Sequence, residues 1–140
     1  MIKILVLTLS GFLLMLFTIN KYEADLANGE SIFKTGKNLA GEVMQDMEKS
    51  EMSGMLHSCA HCHGETAQGK PNRRMGPTGS IKFKDLSDTK LHNVPYTDEL
   101  FIRFLDTELK SDGTTALTGV VWKMSEKDKN DLLAYLKTLQ

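Results

Sequence analysis

Nine residues, His57 to Glu65, read HSCAHCHGE and hold three of the four histidines and both cysteines of the chain. Such side chains are metal ligands, redox thiols or attachment points for a prosthetic group. Cys59-Ala60-His61-Cys62-His63 is a Cys-x-x-Cys-His sequence. That spacing sets two thiols where they can add to the two vinyl groups of a haem, and it sets the following histidine under the iron. Imidazole nitrogen is a good iron ligand, and the thioethers tether the macrocycle. A structural zinc site would need four ligands, typically with a second pair at a distance. His57, His61 and His92 are available but form no second pair of familiar spacing. A thiol–disulfide oxidoreductase using Cys59 and Cys62 is the other competitor, and it normally sits in a βαβ setting that the sequence does not suggest. The motif therefore predicts one covalent c-type haem, held by Cys59 and Cys62 and ligated by His63.

The elements around the motif fit a wrapped cofactor. Gly64 to Pro95 holds Pro71, Pro77 and Pro95 together with Gly64, Gly69, Gly76 and Gly79. Loops of this length in compact domains are functional or enclose something. YTDELFIRFLDTELK reads as a helix, with Thr97 as N-cap, Asp98 and Glu99 in the first turn and Gly113 beyond the end. Leu100, Phe101, Phe104 and Leu105 form its apolar face. SEKDKNDLLAYLKTLQ reads as a second helix, opened by Ser125 and Asp128 at capping-box spacing. Leu132, Leu133, Leu136 and Leu139 form one stripe, and Lys137 suits the C-terminal dipole. Met52, Met55, Leu56 and Cys59 recur at helical spacing, so a helix is expected to run into the cysteine cluster. SIFKTGKNLAGEVM, with two glycines, is expected as a turn or extended piece. KYEADLANGE reads as a polar linker, and no alternating strand stands out.

The first residues are of another kind. Lys3 precedes an apolar run from Ile4 to Ile19, and no acid occurs before Glu23. A positive start followed by an apolar core is the pattern of an export segment. The run suits either a cleaved signal peptide or a retained membrane anchor, since a spanning helix needs about 20 residues. Residues 1–22 are thus read as signal or anchor, attaching the chain to a membrane through residues 4–19 in the second case. Residues 23–140 are read as one domain outside the cytoplasm, periplasmic or otherwise extracytoplasmic. No cysteine follows the run to take a lipid.

A chain of 140 residues suits one compact domain. Hydrophobic residues make up 41% and charged ones 25%, which excludes disorder as the main state. The balance is 17 basic to 18 acidic side chains, and Lys3 and Lys21 fall in the export segment, so the remainder is acidic. Nucleic-acid binding, which needs a basic face, is excluded as an expectation. Lys70, Arg73, Arg74, Lys82, Lys84 and Lys90 follow the cysteine cluster closely. They read as a solvated loop, or as a patch that steers an acidic partner.

CAHCHGE, RMGPTG and WKMSEKDKNDLLAYLKTL together resemble a class I monohaem cytochrome c of the exported bacterial kind, over roughly Gly29 to Leu139. NGESIFKTGKNLAGE is similar to members with a short extra segment before the haem motif. The resemblance implies an all-α fold, a small helical domain wrapped around one haem. It implies that the terminal helix packs across an N-terminal helix, with Tyr135 and Leu136 in the contact. It implies that the Pro77 carbonyl accepts a hydrogen bond from Nδ1 of His63, fixing the ring and its basicity. It also implies an electron carrier rather than an enzyme, with no catalytic residue and with redox partner proteins docking transiently.

The sixth ligand departs from the family pattern Met-Pro-x-Trp-x-Met-Ser-Asp. Aligned on Trp122, Gly119 and Val120 stand where Met-Pro would fall, and Met124 remains. Met124 is expected to bind the iron, since thioether is a common axial ligand in electron-transferring haems. Met75 and His92 are the other donors considered. Without any of them the sixth position is open, and the protein would bind small ligands or peroxide. Met44, Met47, Met52 and Met55 are expected to pack in the core rather than hold copper.

Overall fold

The structure, a computed structural model, describes residues 23–51, 54–71 and 76–140. The apolar run Ile4–Ile19, Met52, Arg73, Arg74 and Met75 lie outside the described residues. Five helices follow in order among the described residues: α1 (Leu26–Thr35), α2 (Cys59–His63), α3 (Phe83–Leu86), α4 (Asp98–Thr107) and α5 (Glu126–Thr138). Between them run turns and four isolated antiparallel bridges, so the fold is mostly helical as expected. No described helix is long and apolar enough to cross a membrane.

The first helix lies where a linker and then a turn or extended piece were expected. Asp25 starts it, accepting from the Asn28 amide at 3.0 Å, and Gly36 ends it in the left-handed conformation at φ 71. The helix forms because one face fits α5. Ile32 and Phe33 are buried against Leu132 and Leu136, and the rings of Phe33 and Tyr135 lie 5.5 Å apart. Burying each such side chain contributes about 1.5–3 kcal/mol, more than the helix-propensity cost of its one glycine, Gly29, at about 1 kcal/mol. Polar groups fix the crossing. Asn28 Nδ2 donates to Asp128 at 3.0 Å and to Asp131 at 2.8 Å, and the Asp25 amide donates to Asp131 at 2.8 Å.

The two C-terminal helices are capped as expected. Thr97 Oγ1 accepts from the Leu100 amide at 3.3 Å, and Ser125 Oγ accepts from the Asp128 amide at 3.1 Å. Helix α4 stops at Thr107, with Glu108 as a left-handed cap at φ 56, rather than continuing to Lys110. Lys129 of α5 is buried and binds Asp106 at 2.9 Å and Glu126 at 2.6 Å, which ties α4 to α5. Lys137 Nζ reaches Asp98 at 2.7 Å and sits 4.9 Å from the Phe83 ring centroid, which brings α3 alongside.

Among the described residues, the stretch before the cysteines is not helical up to Ser58. Its backbone pairs instead with a segment near the C-terminus. Lys123 N–H donates to the Met44 carbonyl at 2.7 Å, Asp46 N–H to Val121 at 2.8 Å, and Glu51 N–H to Gly119 at 3.0 Å. Once these donors and acceptors are paired, a helical ladder has no claim on them. Met44 is buried in this layer, whereas Met47 and Met55 are exposed, so core packing holds for Met44 alone of those three.

Candidate functional site

Helix α2 is a single turn, and its geometry carries the site. Ser58 caps it, accepting from the His61 amide at 3.2 Å. Over one turn, positions i, i+3 and i+4 share a face. Cys59, Cys62 and His63 therefore point the same way, while Ala60 is buried behind them. All three open onto one cavity of about 390 Å³, within the usual range of roughly 300–1,000 Å³ for cofactor pockets.

The other walls are hydrocarbon. Ile81 and Leu86 come from the long loop and α3, and Phe101, Phe104 and Leu105 from α4. Ala116, Thr118, Val120 and Trp122 supply a further wall. These last four alternate, as an extended segment presents every second residue to one side. The sequence blurs this signal, because Leu117 and Val121 make the opposite face apolar too and Gly119 interrupts it.

His63 is oriented from behind. Its Nδ1 lies 2.7 Å from the Gly79 carbonyl oxygen. A carbonyl only accepts, so Nδ1 carries the proton and Nε2 is left with a lone pair. The expected partner, the Pro77 carbonyl, is two residues too early. The register is set by Thr78, whose hydroxyl donates to the Cys62 carbonyl at 2.5 Å and whose amide donates to Lys70 at 3.0 Å. That anchoring carries Gly79, not Pro77, beneath the ring. Burial lowers the pKa of His63; the Gly79 carbonyl opposes this and Lys70 adds to it. The imidazole is thus neutral at neutral pH, the form that binds a metal.

Both cysteines are free thiols. Burial pushes the Cys59 thiol up to about 12. Its accessible surface is the part that faces the cavity. A thiol held protonated is a poor nucleophile for disulfide exchange, which weighs against the oxidoreductase reading.

The expected sixth ligand stands elsewhere. Met124 does not line the cavity; it is half-buried against the helical core, one residue before the cap of α5. Trp122 takes the last cavity-facing place, and the chain turns into α5 before the alternation reaches Met124. His92 does not line the cavity either; its ring stacks edge-on against Tyr96 at 5.7 Å. His57 borders the cavity, and both of its ring nitrogens are buried without a hydrogen-bond partner. The backbone at His57 is held by Gln45, whose side-chain oxygen accepts from the His57 amide at 2.8 Å.

Two thiols, an imidazole with one nitrogen already held, and an apolar cavity form the donor set and enclosure that a c-type haem requires. The cytochrome c family model matches residues 26–140. The chain belongs to the cytochrome c family. It is accordingly a haem c protein. No curated protein sequence matches it as a close relative. A similar solved structure is that of oxidised cytochrome c'' from Methylophilus methylotrophus, 18% identical, covering 84% of this chain and 77% of that one, with a TM-score of 0.40.

Proposed function

We propose that this cytochrome c carries a single haem on Cys59 and Cys62, takes His63 as its fifth ligand, and serves as an electron carrier. The observation that supports this most is the convergence of both thiols and the His63 ring on one apolar cavity. The haem, when bound, supplies a one-electron couple. The chain supplies the rest. Gly79 fixes the imidazole and its tautomer, and strengthens it as a donor. The hydrocarbon walls exclude water and lower the local dielectric, which favours the less charged ferrous state. Outer-sphere transfer needs no acid, base or nucleophile, so no residue has a catalytic role. Redox partners dock weakly and transiently. The apolar run Ile4–Ile19 exports the domain and either stays as an anchor or is cleaved.

The test is an optical redox titration of the purified protein together with a pyridine haemochrome assay. The expected result is one covalent haem per chain and a reversible one-electron transition. A chain without covalent haem would overturn the proposal. A second reading, an iron with an open sixth position, is favoured by the place of Met124 outside the cavity.

A further inference from the structure

His57 is 1% exposed, and its Nδ1 and Nε2 are both buried without a hydrogen-bond partner. A neutral imidazole has one N–H to give and one lone pair that accepts. Leaving such a group unmet costs roughly 1–3 kcal/mol. The ring is nevertheless held where it is. Its amide donates to Gln45 Oε1 at 2.8 Å, and its carbonyl packs so closely on Gly36 that a β-carbon there would lie 2.4 Å from the oxygen. The His61 ring stands edge-on to it, with centroids 5.1 Å apart. His57 is thus fixed at the border of the cavity rather than turned to water. What enters the cavity is what can satisfy it.

We infer that His57 is the sixth ligand of the haem iron, so that the iron is held by two histidines. This rests on the haem reading given above and fills the position that Met124 leaves. The two imidazoles reach the cavity from separate walls. His63 is held by the Gly79 carbonyl of the long loop, whereas His57 is tied through Gln45 to Trp122, with which Gln45 forms an antiparallel bridge. A haem offers an imidazole two kinds of partner. The iron takes a nitrogen lone pair, and the propionates accept an N–H. Vinyl and propionate groups stand on opposite edges of the macrocycle. Only Ser58 separates His57 from Cys59, so its ring lies by the vinyl edge, from which the iron is nearer than the carboxylates. The other nitrogen-bearing residues at the cavity are poorer ligands: the Trp122 indole only donates, and Lys110 is exposed, so its ammonium stays hydrated. The rival partner is a buried water shared with Gln45, whose Nε2 is also buried and unpartnered. Such a water would leave the iron indifferent to His57.

The experiment uses the full-length protein with haem attached, verified first by pyridine haemochrome; absent haem would sink the earlier reading rather than this one. The wild type is expected to be low-spin in both oxidation states, without the weak red ferric band of a methionine–iron bond. His57→Ala should turn the ferric protein high-spin with covalent haem retained. It should tighten carbon monoxide binding to the ferrous form by about tenfold or more, because no internal ligand has to leave first. Added imidazole should restore the low-spin spectrum of His57→Ala, which a merely structural defect would not allow. His57→Met should stay low-spin, gain the methionine band and raise the midpoint potential, as a thioether favours ferrous iron. A wild type that is high-spin, or that shows the methionine band, would overturn the inference. So would a low-spin spectrum that His57→Ala leaves in place, the outcome expected if His57 meets only water.

Discussion

A β-carbon placed on Gly29 of α1 would lie 2.1 Å from the carbonyl oxygen of Asp131 in α5 and 2.8 Å from Cβ of Tyr135. Backbone meets backbone here, and neither side can give way as a flexible side chain would. Gly29→Ala should therefore destabilise the domain by about 2–3 kcal/mol, even after the gain in helix propensity of about 1 kcal/mol. Chemical denaturation of the haem-loaded protein measures this. An unchanged midpoint would mean that the helices cross less tightly than the structure shows.

Haem attachment should require both thiols. The double variant Cys59→Ala, Cys62→Ala is expected to release all haem into acid–acetone, and each single variant to keep one thioether and a shifted haemochrome band. Covalent haem surviving in the double variant would contradict the assignment of α2.

Met124 should be spectroscopically silent. It packs against the core and does not border the cavity. Met124→Leu should leave the ferric and ferrous spectra as they are and change stability by less than about 1.5 kcal/mol, as volume-conserving core swaps do. A change of spin state or a fall in midpoint potential would return Met124 to the iron.

Acid should weaken the α1–α5 contact through Asp128. Burial alone would raise its pKa, but hydrogen bonds from Ser125 and Asn28 outweigh it and hold the carboxyl below the ordinary carboxylate range. A carboxylate whose folded value is lowered adds stability above the unfolded value, about 3.9. That stability is lost as the pH falls through the lower folded value. The advantage of wild type over Asp128→Asn should thus be full at pH 7 and shrink steadily below about pH 4. A difference independent of pH would show that Asp128 is not held as a carboxylate in the fold.

How far these features could be read in advance depended on where their cause lies. The caps Thr97 and Ser125 and the leucine stripe of α5 are local, so α4 and α5 were legible. The shared face of Cys59, Cys62 and His63 was legible too, since their spacing is itself the geometry of one helical turn. The first helix was not, because KYEADLANGE read as a polar linker and Gly36 and Gly41 as breakers, while what holds the helix is distant: Gly29 admits the Asp131 carbonyl, and a β-carbon on Gly36 would meet the His57 carbonyl oxygen at 2.4 Å. The segment before the cysteines misled in the opposite sense. Its helical spacing is real, but just upstream the Met44 carbonyl and the Asp46 and Glu51 amides are claimed by residues 119–123. The partner of His63 is a backbone carbonyl, which no side chain advertises, so Pro77 was expected where Gly79 serves.

The pairing of residues 44–51 with 119–123 also sets an order of assembly. Chains emerge N-terminus first. The CAHCH turn is therefore made well before the segment that walls its cavity, and the α1–α5 crossing joins residues about a hundred positions apart. Contacts of such separation form late, after the loop-closure entropy has been met. Until then Cys59 and Cys62 stand at an open trough rather than in a closed chamber. Whatever is joined to them is loaded during that interval, and the last helix to form then acts as the bolt that keeps it in.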